Sequence, residues 1–137
     1  MTEENPQGMI YETTPENGEA PIFLAIHNQV FEPGRLSTTE GIDNLLAEDQ
    51  DFRAFVYDAL NRHCSGNWGN ISETDREANA QALKDGGRLM SAYSFPPLPK
   101  IWIITEADRS RTTVLLPDEY RRGQSHGAES IRDARGM

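Results

Sequence analysis

Residues 100–116, KIWIITEADRSRTTVLL, constrain the fold more than any other stretch. Ile101, Trp102, Ile103 and Ile104 are four consecutive β-branched or aromatic residues set between Pro99-Lys100 and a polar cluster, which is the composition of a strand. Both alternating faces, Ile101/Ile103 and Trp102/Ile104, are apolar, so the strand is expected to be covered on both sides and central in its sheet. Thr112 to Leu116 is a second β-branched and aliphatic run. The segment between them, Glu106-Ala107-Asp108-Arg109-Ser110-Arg111, is polar and short enough for a hairpin connection. Pro117 has no N–H to give to a ladder and ends the second strand.

The rest of the chain supplies helices and two further strands. Residues 21–26, PIFLAI, read as a strand with Pro21 at its first position, and Glu32-Pro33-Gly34 as a turn. Ser37-Thr38-Thr39 offer N-caps to a helix carrying Ile42, Leu45 and Leu46, kept short by Gly41. Asp49 or Asp51 caps the next helix, in which Phe52, Phe55, Val56, Ala59, Leu60 and His63 recur at three and four residues. Ser72 starts a third helix with acids in its first turn, and Gly86-Gly87 ends it. Residues 88–95, RLMSAYSF, alternate as a strand and lead through a proline-rich connection into the hairpin. The predicted fold is therefore α+β: a short N-terminal strand, three helices, then a three-stranded antiparallel meander with the helices packed on one face. Residues 1–20 are expected to be a flexible acidic tail, 21–120 a single domain, and 121–137 a flexible C-terminal tail.

Charge and composition exclude several classes of function. The net charge is −9, and residues 21–120 alone carry 15 acids against 9 bases. Such a body repels phosphates, which argues against direct nucleic-acid binding. The longest apolar runs are far too short to span a bilayer, and MTEENPQGM lacks the apolar core of a secretory signal. Cys64 is the only cysteine, so neither an internal disulfide nor a multi-cysteine metal site can form within one chain, and a cytoplasmic home is expected. No phosphate loop, dinucleotide fingerprint, nucleophile elbow or zinc-binding helix motif is present, so no cofactor and no metal are expected.

The functional candidates are two loops. In Ser65-Gly66-Asn67-Trp68-Gly69-Asn70, glycines and asparagines shape the backbone around one large side chain. Trp68, with Asn67 beside it, is either an interface anchor or a lid over one end of the core. In the hairpin turn, Glu106, Asp108, Arg109 and Arg111 crowd charges of both signs, either as a binding rim or as a solvated turn with ion pairs. His63 next to Cys64 suggests a nucleophile or ligand pair, but neighbours on a helix point in different directions, and packing is the favoured role.

With these residues assembled, HCSGNWGNISETDREANAQALKDGGRLMSAY and KIWIITEADRSRTTVLLPDEY resemble a family of small bacterial plasmid-related or mobile-element proteins, over residues 63–120. The resemblance implies a bacterial cytosol and a setting of plasmids, phages and host defence. The expected function is a small acidic module acting through a protein partner, including a form whose acidic surface antagonises a nucleic-acid-targeting defence system. The alternative is a small hydrolase using Glu106, Asp108 and His63.

Overall fold

The hairpin forms as its sequence predicts. In the computed structural model, which describes residues 9–123, β5 (Ile101–Thr105) pairs antiparallel with β6 (Arg111–Leu115), Ile103 opposite Val114 and Ile104 opposite Thr113. β4 (Leu89–Tyr93) adds antiparallel to the other side of β5. The meander is only half of the sheet. β3 (Arg35–Thr38) pairs in parallel with β6, β1 (Met9–Pro15) pairs in parallel with β3, and β2 (Phe23–Ile26) closes the far side antiparallel to β1. The result is a six-stranded mixed, curled sheet in the order β2-β1-β3-β6-β5-β4.

This corrects the predicted architecture of one strand, three helices and a meander. Two strands were missed, each for a physical reason. β3 is four residues long and polar outside Leu36, and its Ser37-Thr38-Thr39 looks like a helix cap; in fact only Thr39 is the N-cap. β1 lies within the segment expected to be a tail. Its Thr13 is buried while Glu12 and Thr14 are exposed, and backbone pairing to β2 and β3 holds it without an apolar run. Residues 1–8 and 124–137 of the two expected tails lie outside the described residues.

The helices follow the sequence closely. α1 (Glu40–Glu48) buries Ile42 and Leu46, and α2 (Gln50–Cys64) buries the whole predicted stripe from Phe52 to His63. The Asp49 carboxylate caps α2, accepting from the N–H groups of Asp51 at 2.9 Å and Phe52 at 3.2 Å. α3 (Glu73–Asp85) is capped by Ser72, whose hydroxyl accepts from Asp75 N–H at 3.0 Å. Pro117, expected only to end the second strand, also starts a fourth helix, α4 (Pro117–Gly123), at its first position. Glu119 of α4 accepts from the Thr39 hydroxyl (2.5 Å) and from Leu116 N–H (2.8 Å) on one oxygen and from Gly41 N–H (2.8 Å) on the other. An acid of α4 thus satisfies the N-terminus of α1, where its charge also suits the helix dipole.

The main core lies between α1, α2 and one face of the sheet: Leu24, Ile26, Leu36, Ile42, Phe52, Val56, Leu60, Tyr93, Ile101, Ile103 and Val114. A second cluster, Trp68, Ala82 and Leu89, joins α3 to β4. On the opposite face of the sheet, Ile104 and Leu115 pack with Met90, Trp102 and Tyr120, so α4 covers one end of that face. β5 therefore has a strand on each side, but one of its faces is only partly covered, where the sequence suggested full cover. Among the described residues no helix is long and apolar enough to cross a membrane.

Ile103 is fully buried between the hairpin and the helices. Ile103→Ala removes buried methylenes and leaves a cavity, and is expected to lower the unfolding free energy by about 2–5 kcal/mol in a urea titration.

Candidate functional site

The loop at 65–70 is an edge seal. β4 is the outer strand of its half of the sheet, and its outward backbone groups need partners. The Asn79 side chain of α3 accepts from Met90 N–H (3.2 Å) and donates to Met90 C=O (2.7 Å). Ala92 N–H donates to Trp68 C=O (3.3 Å), and Ala92 C=O accepts from Asn70 N–H (2.6 Å). Ser94 N–H donates to the Asn70 side chain at 3.1 Å. Gly69 sits at φ 74° against Ala92 C=O and the Tyr93 ring, where no side chain fits. Trp68 is 5 % exposed and stacks on Phe31, with centroids 6.4 Å apart. Its ring faces the core as a lid, and the Asn67 carbonyl receives the Tyr93 hydroxyl at 2.7 Å. The two candidates of this loop thus hold the sheet edge.

The turn at 106–111 divides its charges. Arg109, at φ 61°, turns its guanidinium inward and donates to Gly87 C=O (2.7 Å), Ala82 C=O (3.2 Å), Ala107 C=O (3.1 Å) and Glu106 C=O (3.2 Å). Ala82 and Gly87 lie at the C-terminal end of α3, so Arg109 caps that helix with a cation where the dipole favours one. The same guanidinium lies 5.7 Å from the Phe31 ring centroid. Asp108 is exposed and accepts from Ser110 N–H at 3.0 Å, an intra-turn bond. Bonds from the Ser110 side chain and backbone hold its carboxyl below the ordinary value. Asp108 and Arg109 do not form the ion pair that the sequence suggested; each serves the turn or the helix end. Glu106 and Arg111 remain, exposed at the mouth of a groove.

His63 is sealed in the core at 0 % exposure. Its Nδ1 lies 2.6 Å from Ser91 Oγ and its Nε2 2.8 Å from Thr105 Oγ1; Thr105 Oγ1 lies 2.7 Å from Thr112 Oγ1, which donates to Pro33 C=O at 2.7 Å. Because the Thr112 proton goes to Pro33, Thr105 must donate to Thr112 and accept from Nε2–H. Ser91 then donates to Nδ1, and the ring is neutral with its proton on Nε2. Burial, with the Arg109 charge second, pushes the His63 pKa down to about 3. Burial alone pushes the Cys64 thiol up to about 12. His63 therefore packs, as expected. It does not meet the exposed carboxylates of Glu106 and Asp108, so the three residues of the hydrolase alternative do not converge. Among the described residues no group of three histidine, cysteine or acidic side chains is placed to hold a metal.

The open face of the sheet offers the better site. A groove of about 250 Å³ runs across β1, β3, β6 and β5. Arg35 and Arg111 are direct neighbours on paired strands, as are Ser37 and Thr113 one step along. Thr14 lies beside Ser37, and Ile104 beside Thr113. Leu115 and Tyr120 form the apolar end, where Tyr120 meets the half-exposed Trp102 with centroids 5.6 Å apart. Glu16 also lines the groove, with its carboxylate bonded to Glu40 N–H at 2.6 Å. Among the described residues neither the Arg35 nor the Arg111 guanidinium has an ion pair or a side-chain hydrogen bond. Of the candidates read from sequence, only Glu106 and Arg111 reach this groove. Arg35, Ser37, Thr113 and Tyr120 were missed. The available signal was the alternation in RTTVL and RLST, which sends Arg111, Thr113 and Leu115 to one face and Arg35 and Ser37 to the same face of the neighbouring strand.

Two measurements check these assignments. The folded pKa of His63 lies far below its ordinary 6.5, so the unfolded chain takes the proton first. The stability tied to neutral His63 is intact above pH 6.5 and lost as pH falls from there towards 3, by about 1.4 kcal/mol per pH unit. Urea midpoints taken across pH 4–7 should show this slope in the wild type and a shallower one in His63→Gln. Arg109→Gln strips carbonyls at the α3 terminus of their donor and should cost about 1–3 kcal/mol, whereas Arg111→Gln should stay within about 0.5 kcal/mol of wild type in the same titration.

No protein-family model, no curated protein and no solved structure matches the chain.

Proposed function

We propose that the chain is a small protein-binding module whose docking surface is the open face of the sheet, taking an extended segment of a partner protein. One observation carries this reading. The face turned away from α1 and α2 holds a groove with Arg35 and Arg111, which have no ion pair among the described residues, at one end, hydroxyls along its floor and Leu115 with Tyr120 at the other end. Polar groups that fix orientation beside apolar surface are the make-up of a recognition site. The acidic body keeps nucleic acid off, since 15 acids against 9 bases over residues 21–120 repel a polyanion. The buried Cys64, in a chain with no second cysteine, suits a reducing compartment, and we place the action in a bacterial cytoplasm. The resemblance of residues 63–120 to plasmid-related proteins adds the setting. The partner we propose belongs to mobile-element or host-defence machinery.

The test is capture of the partner from a host lysate by the immobilised chain. Thr113→Arg places a long cation across the groove floor and should reduce capture about tenfold or more. Glu77→Arg, on the exposed side of α3, should leave it unchanged, and both variants should melt like the wild type. Equal capture by Thr113→Arg and wild type would remove the open face from the interaction.

A further inference from the structure

We infer that Arg35 and Arg111 together clasp one carboxylate of the partner segment, and that the segment places an apolar side chain four residues from that acid, on Leu115 and Tyr120. This deepens the docking proposal and rests on it.

The two arginines stand side by side on paired strands, about 4.8 Å apart by ordinary strand spacing. Like charges directly opposite on a sheet destabilise it. The chain has 22 acids against 13 bases, yet neither guanidinium takes an acid as partner among the described residues. Glu16 is drawn off to the N-terminus of α1 by its bond to Glu40 N–H. Among the described residues the lining therefore holds two acids, Glu16 and Glu106, and two arginines. Its formal charges sum to zero inside an acidic body, and the two arginines stand adjacent while Glu16 is held at the N-terminus of α1. Two guanidinium forks facing one space match the oxygens of a carboxylate. A pair of adjacent forks suits a single acidic side chain, whereas a polyanion would meet the repulsion of the whole acidic body.

The spacing follows from the strand. Arg111, Thr113 and Leu115 point to the same face at successive odd positions of β6. At about 3.4 Å per residue, Arg111 and Leu115 lie about 13–14 Å apart. An extended peptide covers that span in about four residues and also sends every second side chain to one face. The acid at position i then meets Arg35 and Arg111. The residue at i+2 lies over the hydroxyls of Ser37, Thr113 and Thr14, which favours a small polar side chain. The residue at i+4 reaches Leu115 and Tyr120.

The probe is an acetylated, amidated heptapeptide of sequence GEASALG, titrated into the isotopically labelled full chain and followed by backbone amide resonances. Saturable shifts at Arg35, Arg111, Thr113 and Leu115 are expected. Replacing the peptide's glutamate by glutamine, or Arg35→Gln or Arg111→Gln in the protein, should each weaken binding about tenfold. Replacing the peptide's leucine by alanine should weaken it several-fold. Inorganic phosphate alone should shift Arg35 and Arg111 far more weakly than the peptide does. If the glutamine peptide binds as well as the glutamate peptide, or phosphate binds as well as either, the carboxylate clasp is overturned. Absence of any saturable shift also overturns it. In those cases partner capture that remains sensitive to Thr113→Arg, but not to Arg35→Gln or Arg111→Gln, leaves the docking proposal standing. Capture indifferent to all three variants removes both.

Discussion

The parallel pairing of β3 with β6 is the contact on which the rest of the molecule depends. Four residues, Arg35–Thr38, lie against 111–114 and join the N-terminal strands to the C-terminal meander. Without it the chain would be a meander with helices and a separate two-stranded ribbon, and an isolated ribbon is marginal in water. The approach is close. Gly34, at φ 69°, lies against the backbone of Arg109 and Ser110, where a Cβ would collide with main-chain atoms. Arg35 N–H donates to Ser110 C=O at 3.0 Å, and Thr112 reaches Pro33 C=O through the core. A contact between residues so distant in sequence forms only against a loop-closure cost, so it needs this density of backbone and side-chain bonds.

The polar interior is organised around the same seam. His63, Thr105 and Thr112 run from α2 through β5 and β6 to the turn before β3, with Ser91 of β4 at the other end. Every donor in that chain has an acceptor once the proton sits on Nε2, so the buried polar groups carry no orphan penalty. Trp68 and Arg109, which look suited to recognition in the sequence, are taken up by similar duties, together with two asparagines. Trp68, Asn70 and Asn79 satisfy the outer edge of β4, and Arg109 satisfies the end of α3. Helix ends and sheet edges leave backbone groups without partners, and long polar side chains are how this small domain meets them.

The groove is what remains after those demands are met. Among the described residues its two arginines satisfy no helix end and close no edge, and as neighbours of like charge they repel each other. They stand next to hydroxyls and an apolar end on a face that α4 covers only in part. A feature that costs stability and is kept beside concave surface is where a functional reading has physical support. The groove is assembled from both halves of the chain, so it exists only when β3 meets β6.

The sequence by itself determined the local elements. The stripe from Phe52 to His63 could only be an amphipathic helix, and Ser72 and one of Asp49 or Asp51 could be recognised as caps because such side chains act within three residues; the structure makes Asp49 the cap. The run Ile101–Ile104 had to be a strand with neighbours on both sides, and Pro117 had to end the next one. His63 as a packing residue was legible from its place on the apolar stripe. Only the tertiary structure decided which strands met. β1 and β3 are held by backbone bonds to distant partners, and a backbone bond leaves no mark on side-chain composition. It also decided which charges of the turn were structural. Arg109 and Arg111 are two residues apart and alike in sequence; a positive φ at one sends its guanidinium to the end of α3, while the pleat sends the other to the open face. The pairing of Arg35 with Arg111 joins residues 76 positions apart, and strand register alone brought them together.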